Sequence, residues 1–490
     1  MSLYANEWYA FSEAKIDGKG EWQPLNVLGE ALRMIGGALG ALLTQPFYYI
    51  FLIGVLLHYR RQGILERKLF NIRIYVYAGR VLRTVVTGII AGLLISIVMA
   101  FIGIHIETEI IWCIGIILIL LSLFRLRYAH LTMALAVLTI IYMVLLSFPS
   151  WQPTGGIGSF ISSIRHIDLP GLLAISVLLQ LIEALLFRMQ ALRFSSPVVI
   201  EGKRGKPVGA YAMEAFWPVP LWLFIPSVSG IVLPWTPLHG AQSWIDGVSL
   251  TALPVMIGCS VLTQTHLPQA KAQRIAKRLV QSGLIMVVFA ALALWWAPIA
   301  IPAVIIAVIL RECVMYFSRR EETEQSPLFI RGLRGIKILD IIPYSPAAEL
   351  GITAGESMYK VNGQLIHDPQ SLHAALRINP AFCKLEVLNV EGESKFLQRA
   401  IYAGDHHQLG MIFAPDDQAV VSPDIQRLSA WHLLTKPRVQ KLPSSYHEHS
   451  ALLLPEGEQV TETEVPEEPI ELTPEYIEKH GLPKRPRRKS

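Results

Sequence analysis

"SPAAELGITAGESMYKVNG" (residues 345–363) follows a run of apolar segments that extends to about residue 317, and it reads as part of a compact, water-soluble module. Within it and just beyond, "MYKVNGQLI" (residues 358–366) places two short strand runs around Asn362-Gly363, a strong two-residue hairpin signal. Upstream, "GIKILDII" (residues 335–342) is a partly alternating strand, with Ile336 and Ile338 flanking Lys337. Downstream, Asp368 is suited to cap a helix opened by Pro369, on which Leu372, Ala375 and Leu376 share an apolar face. "CKLEVLNVEGESKFLQRAI" (residues 383–401) then supplies two more strands with a turn near Gly392. Six elements in roughly 80 residues can bury a small α+β core of their own.

The preceding part is different in kind. Hydrophobic residues make up 52% of the 490-residue chain and charged residues 17%, a balance typical of integral membrane proteins. A bilayer core of about 30 Å takes roughly 20 apolar residues per helix. Candidate helical spans fall near residues 40–58, 84–104, 110–124, 131–149, 171–187, 215–235, 251–264, 282–296 and 299–314, so the sequence predicts a polytopic α-helical domain of about 8–10 spans. "WWAPIAIP" (residues 295–302) reads as a tight bend between the last two.

Loop charge predicts the orientation. The loops at 59–83, 125–130, 188–214, 265–281 and 311–320 carry 7, 2, 5, 4 and 3 Lys plus Arg, whereas residues 150–170 carry only Arg165 and 105–109 and 236–250 carry none. Lys and Arg are retained on the cytoplasmic side, so the end of the last span and all that follows are expected in the cytoplasm. The side of the N-terminus depends on whether a half-span precedes Gln45 and Pro46. Residues 1–25 lack the basic start and cleavage site of a signal peptide. The resulting division is an N-terminal, partly amphipathic segment at 1–39, a multi-pass domain at 40–317, a soluble module at 326–415 and a tail at 416–490. That tail holds eight Glu between residues 456 and 475, ends "KRPRRKS" and is expected to be disordered.

"IIPYSPAAELGITAGESMYKVNG" (residues 341–363) resembles the core of a bacterial-type PDZ domain. Pro346 would open its short helix, Gly351 and Gly355 its exit and next turn, and Gly363 the positive φ of the hairpin. The resemblance implies an extended peptide added as a strand between a sheet edge and the long helix, its terminal carboxylate held by backbone N–H groups of a glycine-containing loop. The helix side would be Leu372, His373, Ala375 and Leu376. "QLGMIF" (residues 408–413) has the form of the carboxylate loop and would supply Leu409, Gly410, Met411 and Ile412 by circular rearrangement; alternatively Leu409, Met411 and Phe413 are core of a terminal strand.

Further stretches, among them "PFYYIFLIGVLLHYRRQGILERKLFNIRIY" (residues 46–75), "SSPVVIEGKRGKPVGAY" (residues 195–211), "NPAFCKLEVLNVEGESKF" (residues 379–396) and "AGDHHQLGMIF" (residues 403–413), resemble the MinJ-type cell-division topological determinants of Gram-positive rods, over most of residues 40–415. That resemblance implies a non-enzymatic membrane scaffold for division-site placement, linking a DivIVA-type polar protein to the ATPase MinD and enriched at septa and poles. An adaptor that regulates a separate membrane protease or sensor through the same PDZ domain is the alternative.

The chemistry of a protease is not found. There is no His-Glu-x-x-His motif, and the region upstream of the module has no room for a soluble Ser-His-Asp domain. His406 and His407, if extended, point to opposite faces and do not share an ion, and the four cysteines show no metal or disulfide spacing, so no metal or cofactor is expected. "GKRGKPVG" (residues 202–209) lacks the Lys-Ser/Thr ending of a phosphate loop and reads as a basic loop near anionic headgroups. Glu183 is the one carboxylate deep in an apolar run, about 7 Å along the helix from Arg188. Snorkelling to the headgroups or pairing with a neighbour is the expectation, with proton or ion coupling as the alternative.

Overall fold

In a computed structural model the chain is described over residues 24–441, apart from 73, 75–76, 105, 152, 232–247, 331–333, 380, 401–408, 417–418 and 423–428. The first part is helical: α1 (Pro24–Thr44), α2 (Pro46–Phe70), α3 (Tyr77–Ile102), α4 (Thr108–Phe124), α5 (Leu131–Ser147), the short α6 (Gly156–Arg165) and α7 (Leu169–Phe194). The α1–α2 break falls at Gln45-Pro46, where proline cannot continue the α1 hydrogen-bond ladder, and the two helices meet at a 64° bend. Asn71, left-handed at φ 57°, ends α2.

A three-stranded antiparallel sheet follows, β1 (Ser195–Glu201), β2 (Pro207–Ile231) and β3 (Val248–Thr263), and it corrects the expectation of helical spans at 215–235 and 251–264. Among the described residues four helices are long and apolar enough to cross a membrane, five if the bent pair counts as one, and α4 and α5 are shorter apolar helices. Both runs are as apolar as a span, but Pro218, Pro220, Pro226 and Pro254 lie inside them. Each interior proline would cost a helix about 3 kcal/mol, while a two-residue proline spacing suits one edge of a strand.

That edge explains how a strand is tolerated among membrane helices. β1 pairs with β2 only as far as Met213, so beyond it the corresponding edge of β2 has no strand partner among the described residues. α3 covers it. A Cβ on Gly88 would lie 2.2 Å from the Pro218 carbonyl oxygen and one on Gly92 would lie 2.0 Å from that of Pro220, so only glycine admits this approach. One step further, the Trp222 N–H donates to Ser96 Oγ at 2.8 Å. Gly88, Gly92 and Ser96 repeat every four residues, about 6 Å along a helix. Pro218, Pro220 and Trp222 repeat every two, about 6.6 Å along a strand. The periods match, the prolines remove two N–H groups that would face apolar surroundings unpartnered, and Ser96 satisfies the third.

α8 (Pro268–Trp295) and α9 (Ala300–Glu324), joined by a 3₁₀ turn at Ala297–Ile299, complete the helical part. The β-rich module then comprises β4 (Ile336–Ile341), α10 (Pro346–Glu349), β5 (Ser357–Val361), β6 (Gln364–Leu365), α11 (Pro369–Ile378), β7 (Phe382–Leu388), β8 (Ser394–Ala400) and β9 (Met411–Phe413). Its sheet order is β8-β7-β5-β4-β9, with β6 on β5. Asn362 and Gly363 take φ of 51° and 83° in the β5–β6 turn. Asp368 caps α11 in a reciprocal arrangement with Ser371. β10 (Val420–Val421), α12 (Ala430–Leu434) and β11 (Gln440–Lys441) follow, so residues 419–422 and 429–441 are ordered where composition predicts a disordered tail. There the apolar "AWHLL" and "VV" supply burial that the acidic stretch lacks. The acidic and basic segments of the tail and residues 1–23 lie outside the described residues.

Candidate functional site

β9 is the end strand of the module's sheet, paired antiparallel to β4 through Ile338↔Phe413, Asp340↔Ile412 and Ile341↔Met411. The Ile342 N–H donates to the Gly410 carbonyl at 2.9 Å and the Ala414 N–H to the Lys337 carbonyl at 2.8 Å. By the alternation of an antiparallel ladder, the backbone groups of Met411 and Phe413 then point outward, away from β4. The turn that delivers β9 to the edge has two successive left-handed residues, Leu409 at φ 55° and Gly410 at φ 82°. The Leu409 carbonyl accepts from the Ala347 N–H at 2.9 Å. A Cβ on Gly410 would fall 2.2 Å from Ser345 Cβ, so both its φ and its surroundings require glycine.

The side chains divide by face. Leu409, Met411 and Phe413 join Leu372 and Ala375 of α11 in the module's core, and Leu376 packs against that core. His373 is half-buried. Ile412 points the other way, into a separate cluster with Ile74, Tyr211, Phe329 and Leu339. Seven of the eight residues singled out from the sequence therefore belong to the module itself, on α11 or at the turn and edge of β9, while Ile412 belongs to the seam with the helical part.

That seam is built from the base of the β2–β3 hairpin. The Gly209 N–H donates to the Phe329 carbonyl at 3.0 Å, the Leu328 N–H to the Gln264 carbonyl at 2.8 Å, and the Tyr211 hydroxyl to the Leu339 carbonyl. A Cβ on Gly209 would meet Phe329 Cβ at 2.8 Å. Asp340, half-buried beside the seam, has its carboxyl pushed up to about 7 by burial, with the nearby Glu66 adding to the shift.

Next to the seam is a polar centre that the sequence reading missed. Gln62 Nε2 donates to Ser196 Oγ at 2.6 Å, Ser196 Oγ to Glu66 Oε1 at 2.8 Å, and Arg80 Nη1 to Gln62 Oε1 at 3.1 Å. His58 Nε2 lies 3.7 Å from Glu214 Oε2. His58, Arg61, Gln62, Glu66, Ser196 and Glu214 line a cavity of about 30 Å³, room for water or a small ion. The signal was present: His58, Gln62 and Glu66 recur every four residues, a polar stripe on a helix that is otherwise apolar on entry.

Glu183 pairs inward. It is fully buried and held by Arg311 and His130, so of the two expectations pairing applies and snorkelling does not. Arg311, counted above with a basic loop, is itself buried within α9. Among the described residues no group of three His, Cys, Asp or Glu is placed to hold a metal; His406 and His407 lie outside them.

Over 381 residues, 77% of this chain and 94% of the relative, the chain is 29% identical to the cell division topological determinant MinJ of Bacillus subtilis. By sequence similarity the chain is MinJ-like. Probable MinJ proteins of Lacticaseibacillus paracasei and Lacticaseibacillus casei are 24% identical over 227 residues, 46% of this chain and 60% of theirs. No protein-family model matches the chain, and no solved structure matches it. Neither the helical part nor the β-rich module alone is 381 residues long, so the match to the Bacillus MinJ includes residues of both.

Proposed function

We propose that this chain is a non-enzymatic membrane scaffold for division-site placement, in which the β-rich module is a PDZ domain that docks an extended peptide along the free edge of β9. The observation that carries the reading is that edge. Among the described residues no strand pairs with the outward side of Met411 and Phe413, which follow directly on the left-handed Leu409-Gly410 turn, whose successive N–H groups suit a terminal carboxylate. Because Leu409, Met411, Leu372 and Ala375 are core, affinity would come from main-chain pairing, and selectivity from the half-buried His373 and Leu376 on α11.

The similarity to MinJ supports the cellular role, and the basic loops support a cytoplasmic module. A membrane anchor that holds such an edge at a constant orientation would link a DivIVA-type protein at poles and septa to MinD. The test is a fluorescent fusion in dividing rod-shaped cells, with and without residues 326–415. Septal and polar enrichment, with minicells or filaments after the deletion, is expected. A uniform membrane signal with normally placed septa would overturn the division role and leave an adaptor for another membrane protein.

A further inference from the structure

After β9 the chain returns to the helical part. The Ser422 N–H donates to the Val199 carbonyl at 2.9 Å, and Lys68 Nζ donates to the buried Pro437 carbonyl at 2.9 Å. Between these two ties α12 packs on α2 and α4. Its two faces differ sharply. Leu433 is buried in the core of the helical part and Ala430 packs against that core, whereas Trp431 and Leu434 are 67% and 69% exposed.

The depth of α12 follows from its neighbours. Phe47, near the start of α2, stacks edge-on with Trp112 and closes on Gly115, midway along α4. Lys68 is near the end of α2, and α12 packs on both α2 and α4. In the last turns of α4 Leu120, Leu123 and Phe124 are exposed, Phe124 by 76%, and Arg125 and Arg127 follow at once. Outward apolar side chains followed by arginines mark the boundary between acyl chains and headgroups.

We propose that α12 is a second, monotopic membrane anchor: Trp431 and Leu434 insert at the headgroup boundary of an anionic phospholipid bilayer, continuous with the lipid-facing surface of α4, and the exposed Lys436, Arg438 and Lys441 lie on its phosphates. Tryptophan and leucine beside cations is the composition of such interfacial segments. The anchor pins the far end of the β-rich module, so its docking edge is held at the bilayer from both sides.

The test uses the full chain in proteoliposomes of phosphatidylcholine and phosphatidylglycerol, with a photo-crosslinking benzoylphenylalanine in place of Trp431 or, as a control, of the exposed Phe396 on β8. Phospholipid adducts several-fold more abundant at 431 than at 396 are expected, reduced when Lys436→Glu and Arg438→Glu are combined. Equal labelling at the two positions would overturn the proposal. So would a cross-link from 431 to a second copy of the chain, which would make the Trp431 face a protein interface.

Discussion

Arg311 and Glu183 meet as a two-pronged ion pair inside the helical bundle, with Arg311 Nη1 2.9 Å from Glu183 Oε2 and Nη2 3.0 Å from Oε1. His130 completes the group. Its Nδ1 accepts from the Thr132 N–H at 3.2 Å, which leaves the ring proton on Nε2, 3.0 Å from Glu183 Oε2. α7, α9 and the start of α5 are thus tied at one buried point. Removing one partner from such a pair strands the other charge, at a cost of about 3–5 kcal/mol, whereas replacing both by apolar residues can be nearly neutral. Glu183→Ala or Arg311→Ala should therefore lower the unfolding temperature in detergent strongly. The Glu183→Leu, Arg311→Leu pair should lower it much less, as differential scanning fluorimetry would show.

Gly92 tests the strand-on-helix contact. Gly92→Val puts a branched side chain where a single Cβ already lies 2.0 Å from a backbone oxygen, so α3 and β2 must separate. The expected result is loss of monodisperse protein on size-exclusion chromatography. Gly36→Val, on α1 where a Cβ would meet nothing within 4 Å, should leave the elution profile unchanged.

Pro220→Ala asks a subtler question, since it adds one N–H and removes a ring. The new donor would face α3, where Gly92 offers no acceptor side chain, and an unsatisfied buried donor costs about 1–3 kcal/mol. Ser96→Ala should cost a similar amount by stranding the Trp222 N–H. Denaturation in detergent should place both variants below the parent chain. A Pro220→Ala protein as stable as the parent would show that water reaches this edge.

Asp340 makes the seam sensitive to pH. Its folded carboxyl titrates at about 7, above the ordinary aspartate value, so the folded state binds the proton more tightly than the unfolded state. The stability this contributes is complete at pH below about 4 and is lost as pH rises to about 7. Asp340→Asn should keep the protonated-like contacts and flatten the profile over that window. The comparison to make is the unfolding temperature of parent and variant between pH 5 and 8, where the difference should grow with pH in favour of the variant.

The sequence by itself determined the local grammar of the β-rich module and the positions of most helices. Asp368-Pro369 start α11, Asn362-Gly363 turn the β5–β6 hairpin, Gln45-Pro46 break α1 from α2, and the apolar runs of α3, α7, α8 and α9 are long enough to be read directly. These signals are legible because caps, turns and lipid-facing length depend on neighbouring residues and on solvent. The tertiary structure decided the rest. Apolar content alone cannot separate a span from the β2–β3 hairpin, because the edge of β2 is acceptable only when Gly88, Gly92 and Ser96, more than a hundred residues earlier, lie against it. Likewise Glu183 looked able to reach the headgroups until Arg311 and His130 were brought to it. Leu409 and Met411 could be groove or core from sequence, and Ile412, read there as part of the groove, packs in the cluster at the hairpin base. In each case the deciding partner is remote in the chain, and only packing makes it a neighbour.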